Sequence, residues 1–137
     1  MAADFLDTNV LVYAYDPSEP DKAKTAQALV ARAVAREFLI SAQVLAEFAT
    51  SLLHKVAVRR TADDVKIVLD ILAPIPVIAS DRALVRRAVE ARAQYGLHFY
   101  DGMIIAAAER AGSEKIWSED LNADQKYFGV TVVNPFR

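Results

Sequence analysis

Residues 38–56 read FLISAQVLAEFATSLLHKV. Phe38-Leu39-Ile40 is an uninterrupted apolar run of strand length. From Ser41 onward the apolar positions change period to Val44, Leu45, Phe48, Leu52 and Val56, one face of a 3.6-residue helix. Ser41 supplies an N-cap hydroxyl at the seam. A buried strand running straight into a capped helix is the unit from which parallel sheets are wound, and the rest of the chain repeats it. Phe5-Leu6 is a short first run that ends at Asp7. Ser18-Glu19-Pro20-Asp21 opens a helix with a Ser cap, an acid three residues on and a proline in the first turn, and Ala23, Ala26, Val30 and Ala33 form its apolar face. Thr61 and Asp64 open another, with Val65, Val68, Leu69 and Leu72 inward. Residues 74–78, with Pro74 and Pro76, read as an edge strand, because proline gives no ladder hydrogen bond. Ser80 caps a helix to about Tyr95, stopped by Gly96; a further helix runs from Tyr100 to Ala111, stopped by Gly112. Strands at 115–117 and 130–133 close the pattern. The prediction is an α/β fold: a three-layer α/β/α sandwich on a five-stranded, mostly parallel sheet, with residues 1–137 forming one domain.

Composition narrows the chemistry. The 137 residues are 54% hydrophobic and 25% charged, the balance of a globular domain. Cys is 0, which removes disulfides, thiolate zinc sites, iron–sulfur ligation and cysteine nucleophiles, and accords with a reducing cytoplasm. His54 and His98 cannot build a three-His zinc site. A metal held here is bound mainly by oxygen, which favours magnesium, manganese or calcium. Lys+Arg 16 against Asp+Glu 18 gives a net charge of -2, so no general basic field marks a nucleic-acid binder. Acids gathered around cations would nevertheless leave the remaining surface more basic than the total. The start, Met1 to Asp7, has no positive region ahead of an apolar stretch, so no secretory signal is expected. The longest apolar stretches, such as Met103 to Ala108, fall far short of the roughly 20 residues of a membrane span. A soluble, cytoplasmic protein is expected.

In open parallel sheets the functional crevice lies beyond the carboxyl ends of the strands. Four acids sit there in the predicted pattern: Asp7 after the first strand, Glu47 in the helix after the second, Asp101 at the head of the helix before the fourth, and Asp120 after that fourth strand. Each has an ordinary explanation. Asp7 or Thr8 can cap a following helix. Gln43, Glu47, Thr50, Ser51 and His54 form a stripe that reads as a solvated helix face. Asp101 shares the core-facing side of its helix with Ile104, Ile105 and Ala108, so it needs a partner, a cation or a capping role. Asp120 has rivals in Glu119 and Asp124. The set is stronger than its members, because four carboxylates brought together repel and raise one another's pKa unless cations neutralise them. One or two magnesium or manganese ions in such a site suit metal-assisted phosphodiester hydrolysis.

Asp7-Thr8-Asn9, Glu47 within residues 43–48, Tyr100-Asp101-Gly102 followed by the apolar run to Ala108, Ser118-Glu119-Asp120-Leu121, and the closing Val133-Asn134-Pro135-Phe136 together resemble the PIN-domain ribonucleases, and more narrowly the toxins of VapBC type II toxin–antitoxin pairs. The resemblance spans essentially the whole chain. It implies a five-stranded parallel sheet, a Mg2+- or Mn2+-dependent endoribonuclease, a homodimer and a small antitoxin that blocks the site. It makes Asp7, Glu47, Asp101 and Asp120 the catalytic and metal-binding acids, with Asn9 and Ser118 in support. Lys55, Arg59, Arg82, Arg86 and Arg87 are candidates to steer an RNA backbone, against a reading as solvated surface in which Arg86 pairs with Glu90. Tyr13, Tyr15, Phe99 and Tyr100 are candidates to stack on unpaired bases, or are simply packing.

Other chemistries fit less well. An aspartyl-phosphate phosphatase needs a second Asp two residues after the first as general acid; Asn9 stands there, and an amide cannot shuttle a proton. A nucleotide-binding Rossmann or P-loop protein needs a glycine-rich phosphate loop, yet Gly is 4 in total and none precedes Gly96. The remaining alternative is a non-catalytic RNA- or protein-binding module on the same fold.

Overall fold

The computed structural model describes residues 2–55 and 57–137; Met1, and Val56 at the end of the predicted helical stripe, lie outside them. The chain runs β1 (Asp4–Leu6), α1 (Thr8–Tyr13), α2 (Pro20–Val34), β2 (Phe38–Ser41), α3 (Ala42–His54), α4 (Ala62–Ile71), β3 (Val77–Ile78), α5 (Arg82–Tyr95), α6 (Phe99–Arg110), β4 (Lys115–Trp117), β5 (Lys126–Tyr127) and β6 (Val130–Val133). The strands form one central sheet in the order β3-β2-β1-β4-β6-β5, flanked by helices, and only the β5–β6 pair is antiparallel.

That order fixes where a site can lie. The chain winds outward from β1 through β2 to β3, then returns through α5 and α6 to lay β4 on the other side of β1. The winding therefore reverses between β1 and β4, which pair in parallel with Phe5 opposite Ile116 and Leu6 opposite Trp117. A crevice opens at such a switch point, beyond the carboxyl ends of the two strands. All four residues of β2 are buried, as are seven consecutive residues of α6, Gly102 to Ala108. A helix apolar all round is a central one. Gly102 allows its close approach to α5: a Cβ there would stand 2.8 Å from the Ala88 carbonyl oxygen.

Several predicted boundaries are corrected. The sheet has six strands rather than five. The extra one, β5, is two residues long and is folded back on β6 by Phe128 and Gly129, both at positive φ, as a two-residue hairpin turn requires. Phe128 is held in that unusual conformation by its N–H donating to the Tyr95 hydroxyl and by the Arg87 guanidinium stacked 3.5 Å from its ring centroid. Helix α1 was not predicted, because its apolar residues Val10, Leu11 and Val12 are consecutive and give no helical period. Ser18 does not cap α2: its hydroxyl and N–H both donate to the buried Asp16 carboxylate, and the helix begins at Pro20 behind Glu19. Asp81, not Ser80, caps α5, accepting from the Leu84 N–H at 2.9 Å. His98 caps α6, which starts at Phe99. Ser41 and Thr61 cap α3 and α4 as expected, and β3 is an edge strand shortened to the residues beyond Pro76.

Candidate active site

The Asp7 backbone N–H continues the β1–β4 pairing by donating to the Trp117 carbonyl at 3.0 Å. Its side chain is buried and caps α1, with Oδ1 accepting from the Thr8 N–H at 2.7 Å and Oδ2 accepting from the Ser118 hydroxyl at 2.7 Å. The capping explanation and the site explanation of Asp7 thus describe the same carboxylate. Ser118 is fully buried, and its Oγ also accepts from the Asp120 N–H at 3.1 Å. Asn9 ties the turn together: its Nδ2 donates to Ser118 Oγ at 3.3 Å and to Asp120 Oδ2 at 3.1 Å, while its Oδ1 accepts from the Glu119 N–H at 3.1 Å.

Glu47 and Asp101 approach from the helices. Glu47 Oε1 accepts from Gln43 Nε2 at 3.1 Å and, at 3.4 Å, from the Thr8 hydroxyl. Gln43 also donates to the Tyr100 carbonyl at 2.9 Å, linking α3 to the head of α6. Asp101 sits in the first turn of α6, half-buried, and no hydrogen bond among the described residues ends on its carboxylate. Asp101, Asp120, Glu47, Asn9 and Thr8 all line one cleft of about 760 Å³; the buried Asp7 does not line it but lies near enough to feel the charges of Asp120 and Glu47.

The carboxylates feel one another. Burial pushes the Asp7 carboxyl up to about 6; the Ser118 and Thr8 hydrogen bonds oppose this, and the charges of Asp120 and Glu47 add to it. Glu47 is raised by the cleft walls that desolvate it, and further by Asp101 and Asp120, against the hydrogen bonds from Gln43 and Thr8. Asp101 is raised by desolvation and by Asp120, with His98 opposing. Among the described residues no group of three such side chains is arranged to close on one ion. Magnesium is commonly held by only one or two carboxylates, with water and substrate phosphate completing its shell, so an all-oxygen donor set of mutually repelling acids fits it without a closed cage.

The neighbours of Asp120 are occupied elsewhere. Glu119 accepts from the Tyr13 hydroxyl at 2.6 Å and from Lys22 at 2.8 Å. Burial raises its carboxyl, but these two bonds more than reverse that and hold it below the usual range. Asp124 pairs with Arg137 at 3.0 Å. Of the cationic candidates, Lys55 lines the cleft, whereas Arg59, Arg82 and Arg86 are not among its lining residues. Arg86 faces Glu90, and Arg87 is bound bidentately by Glu109 with both contacts at 2.8 Å. Tyr13 and Tyr100 border the cleft; Tyr15 packs on Phe48, and Phe99 is packed against the core.

The stripe that reads as a solvated helix face is only partly one: Gln43, Glu47, Thr50 and Ser51 line the cleft, with Glu47 and Thr50 exposed, and His54 does not line it. The Lys22–Glu119–Tyr13 group was not anticipated at all, since nothing in the linear order links α2 to the turn after β4.

Comparison with known proteins bears on the fold and the family. No curated protein matches the sequence. Solved structures do match in fold. A toxin–antitoxin complex from Klebsiella pneumoniae has a TM-score of 0.70 at 19% identity, covering 97% of this chain and 98% of that chain. A DNA-bound VapBC from Salmonella typhimurium has 0.69 at 18%, covering 96% and 97%. VapC20 of Mycobacterium tuberculosis, a sarcin–ricin loop cleaving toxin, has 0.66 at 20%, covering 86% and 92%. The PIN domain profile matches residues 5–129. That span takes in Asp7, Glu47, Asp101, Asp120 and every helix between them, and the chain belongs to the PIN domain family.

Proposed function

We propose that this protein is a metal-dependent endoribonuclease, the toxin of a VapBC-type toxin–antitoxin pair. The observation that carries the reading is the cleft at the switch point of the sheet, lined by Glu47, Asp101 and Asp120, with the buried Asp7 carboxylate near enough to feel the charges of Glu47 and Asp120. The fold neighbours support it, being toxins solved with their antitoxins or described by the RNA they cleave.

In this reading Asp7, Glu47, Asp101 and Asp120 would share one or two Mg2+ or Mn2+ ions, each ion held by only one or two of the carboxylates. The bound ion supplies Lewis-acid polarisation of the phosphodiester and an activated water. The protein's own part is positioning and charge. Asp7 presents a desolvated carboxylate fixed by Ser118 and the Thr8 N–H. Asn9 holds Asp120 toward the cleft, and Gln43 keeps Glu47 in place from one turn away. Lys55 attracts the RNA backbone toward the acids. Among the described residues no helix is long and apolar enough to cross a membrane, and we place the protein in the cytoplasm with its RNA substrate. We assign it a homodimeric state, supported by apolar side chains one turn apart that face solvent, Ile67 and Ile71 on α4 and Val85 and Val89 on α5.

The test is cleavage of a mixed RNA pool by the purified protein with Mn2+. Activity is expected for the parent and is lost in Asp7→Asn without loss of fold, as is growth arrest on induced expression. A fully active Asp7→Asn protein would refute the assignment. Metal binding without cleavage of any RNA would instead favour the non-catalytic module.

A further inference from the structure

Tyr100 stands at the head of the cleft with 57% of its surface exposed, beside the more enclosed Phe99. A large aromatic left this open is usually mobile, yet its ring is braced. His98 lies stacked against it, with centroids 5.9 Å apart and planes 29° from parallel, and Phe99 meets it edge-on at 5.4 Å. Its backbone is held at both ends: the N–H donates to His98 Nδ1 at 3.3 Å, and the carbonyl accepts from Gln43 at 2.9 Å. The brace leaves over half the side chain facing water next to Asp101.

From that point the cleft follows α3. Gln43 touches the Tyr100 backbone, Glu47 lies one turn on, Thr50 and Ser51 supply hydroxyls, and Lys55 ends the wall. The eleven steps from Gln43 to His54, at about 1.5 Å each, make this path about 17 Å long, with Lys55 just past the end of the helix. Its character changes in order from aromatic to acidic to hydroxylic to cationic, which is the order a single nucleic-acid strand needs if a base is gripped at one end and a phosphate at the other.

We propose that Tyr100, braced by His98, is a stacking platform for one unpaired nucleobase beside the acidic centre, and that Lys55 takes a phosphate further along the same strand. This rests on the ribonuclease reading and adds to it a named side chain that holds one base beside the acids. A paired base has both faces covered by its neighbours and cannot use the ring; an unpaired base gains stacking worth a measurable share of binding.

Binding rather than cleavage tests it. The non-cleaving Asp7→Asn protein is titrated, in Mg2+, into a fluorescein-labelled eight-nucleotide oligoadenylate, the same length of duplex RNA, and an abasic strand, with anisotropy as the readout. Tyr100→Ala in that background is expected to weaken oligoadenylate binding about tenfold, while Tyr100→Phe stays within about twofold. The abasic strand is expected to bind both proteins equally weakly, and duplex RNA to be indifferent to the substitution. Lys55→Ala is expected to lower the slope of log affinity against log salt by about one. Oligoadenylate binding by Tyr100→Ala equal to the parent, parent binding to the abasic strand as tight as to oligoadenylate, or no measurable binding by the parent would each overturn the proposal. Failure of the Asp7-intact protein to cut any RNA with Mn2+ removes the ribonuclease reading and leaves these binding results to stand or fall alone.

Discussion

The two walls of the cleft are built differently. On the side of β1 and β4, Asp7, Asn9, Ser118, Glu119 and Asp120 are cross-linked by short hydrogen bonds between segments more than a hundred residues apart, and Asp7 and Ser118 are buried. On the side of α3 and α6, Glu47 is held by one side chain on its own helix and a 3.4 Å contact from Thr8, and Asp101 accepts no hydrogen bond among the described residues. The first wall is set by the fold before any ligand arrives. The second is free to adjust. A pre-set wall fixes where a reacting group must sit, and an adjustable one lets the cleft close around ligands of differing size, so the two should respond unequally to mutation.

The largest effect is expected at the centre of the rigid wall. Asp7→Asn should reduce cleavage by more than about a hundredfold, beyond the range usual for residues that only orient a metal ligand. The same carboxylate gives a pH signature in the metal-free protein. Its pKa is about 6 when folded against 3.8 as reference, so between pH 4 and 6 the folded state binds more protons than the unfolded one, and stability falls as pH rises through that window. At about 1.36 kcal/mol per pH unit the cost is roughly 3 kcal/mol at most. Denaturant titrations from pH 4 to 7 should show this decline. It should flatten in Asp7→Asn and reverse in part when Mn2+ is added at pH 7. A metal-free protein that gains stability over the window contradicts the environment described for Asp7.

Next comes Ser118→Ala. Its hydroxyl donates to Asp7 and receives the Asp120 N–H, and removing it leaves buried polar partners unpaired, at a cost of about 1–3 kcal/mol in unfolding free energy. Activity and Mn2+ affinity should fall about 10- to 100-fold. The matching change on the other wall, Gln43→Ala, should move stability by no more than about 1 kcal/mol, because both hydrogen bonds it loses are solvent-exposed. Equal losses for the two variants would erase the distinction between the walls.

That distinction also marks how far the sequence could be read. The strand-to-helix seam at Ser41 was legible because an apolar run, a capping hydroxyl and a helical period all agree there. The four acids were legible because parallel winding brings strand ends to one edge whatever the details. Local competition was harder to see: Ser18 against Asp16 and Ser80 against Asp81 turn on which of two adjacent polar groups reaches the free N–H groups. Helix α1 and strand β5 are too short to carry a period. The α3 stripe had the polarity of a solvated face, and only the tertiary approach of the head of α6, joined to α3 by the hydrogen bond from Gln43 to the Tyr100 carbonyl, turned it into a wall.

The smallest expected effect on activity tests whether the rigid wall extends beyond the cleft. Lys22, on α2, reaches the Glu119 carboxylate at 2.8 Å while its ammonium lies 4.9 Å from the Tyr13 ring centroid; Tyr13 donates to the same carboxylate and packs edge-on against Phe136. Glu119 immediately precedes Asp120, so this group pins the turn from the far side while Asn9 pins it from the near side. Both partners of the ion pair are partly exposed, at 34% and 25%, and salt screens such pairs. Lys22→Met is therefore expected to lower kcat by about tenfold or less, the bottom of the range for orienting residues, with KM nearly unchanged because the residue does not line the cleft. Lys22→Arg should restore most of the loss, and the parent should drift toward the Lys22→Met value as salt is raised. A loss confined to KM, or one that Arg does not rescue, would mean that Lys22 meets RNA directly and that the wall ends at Asn9.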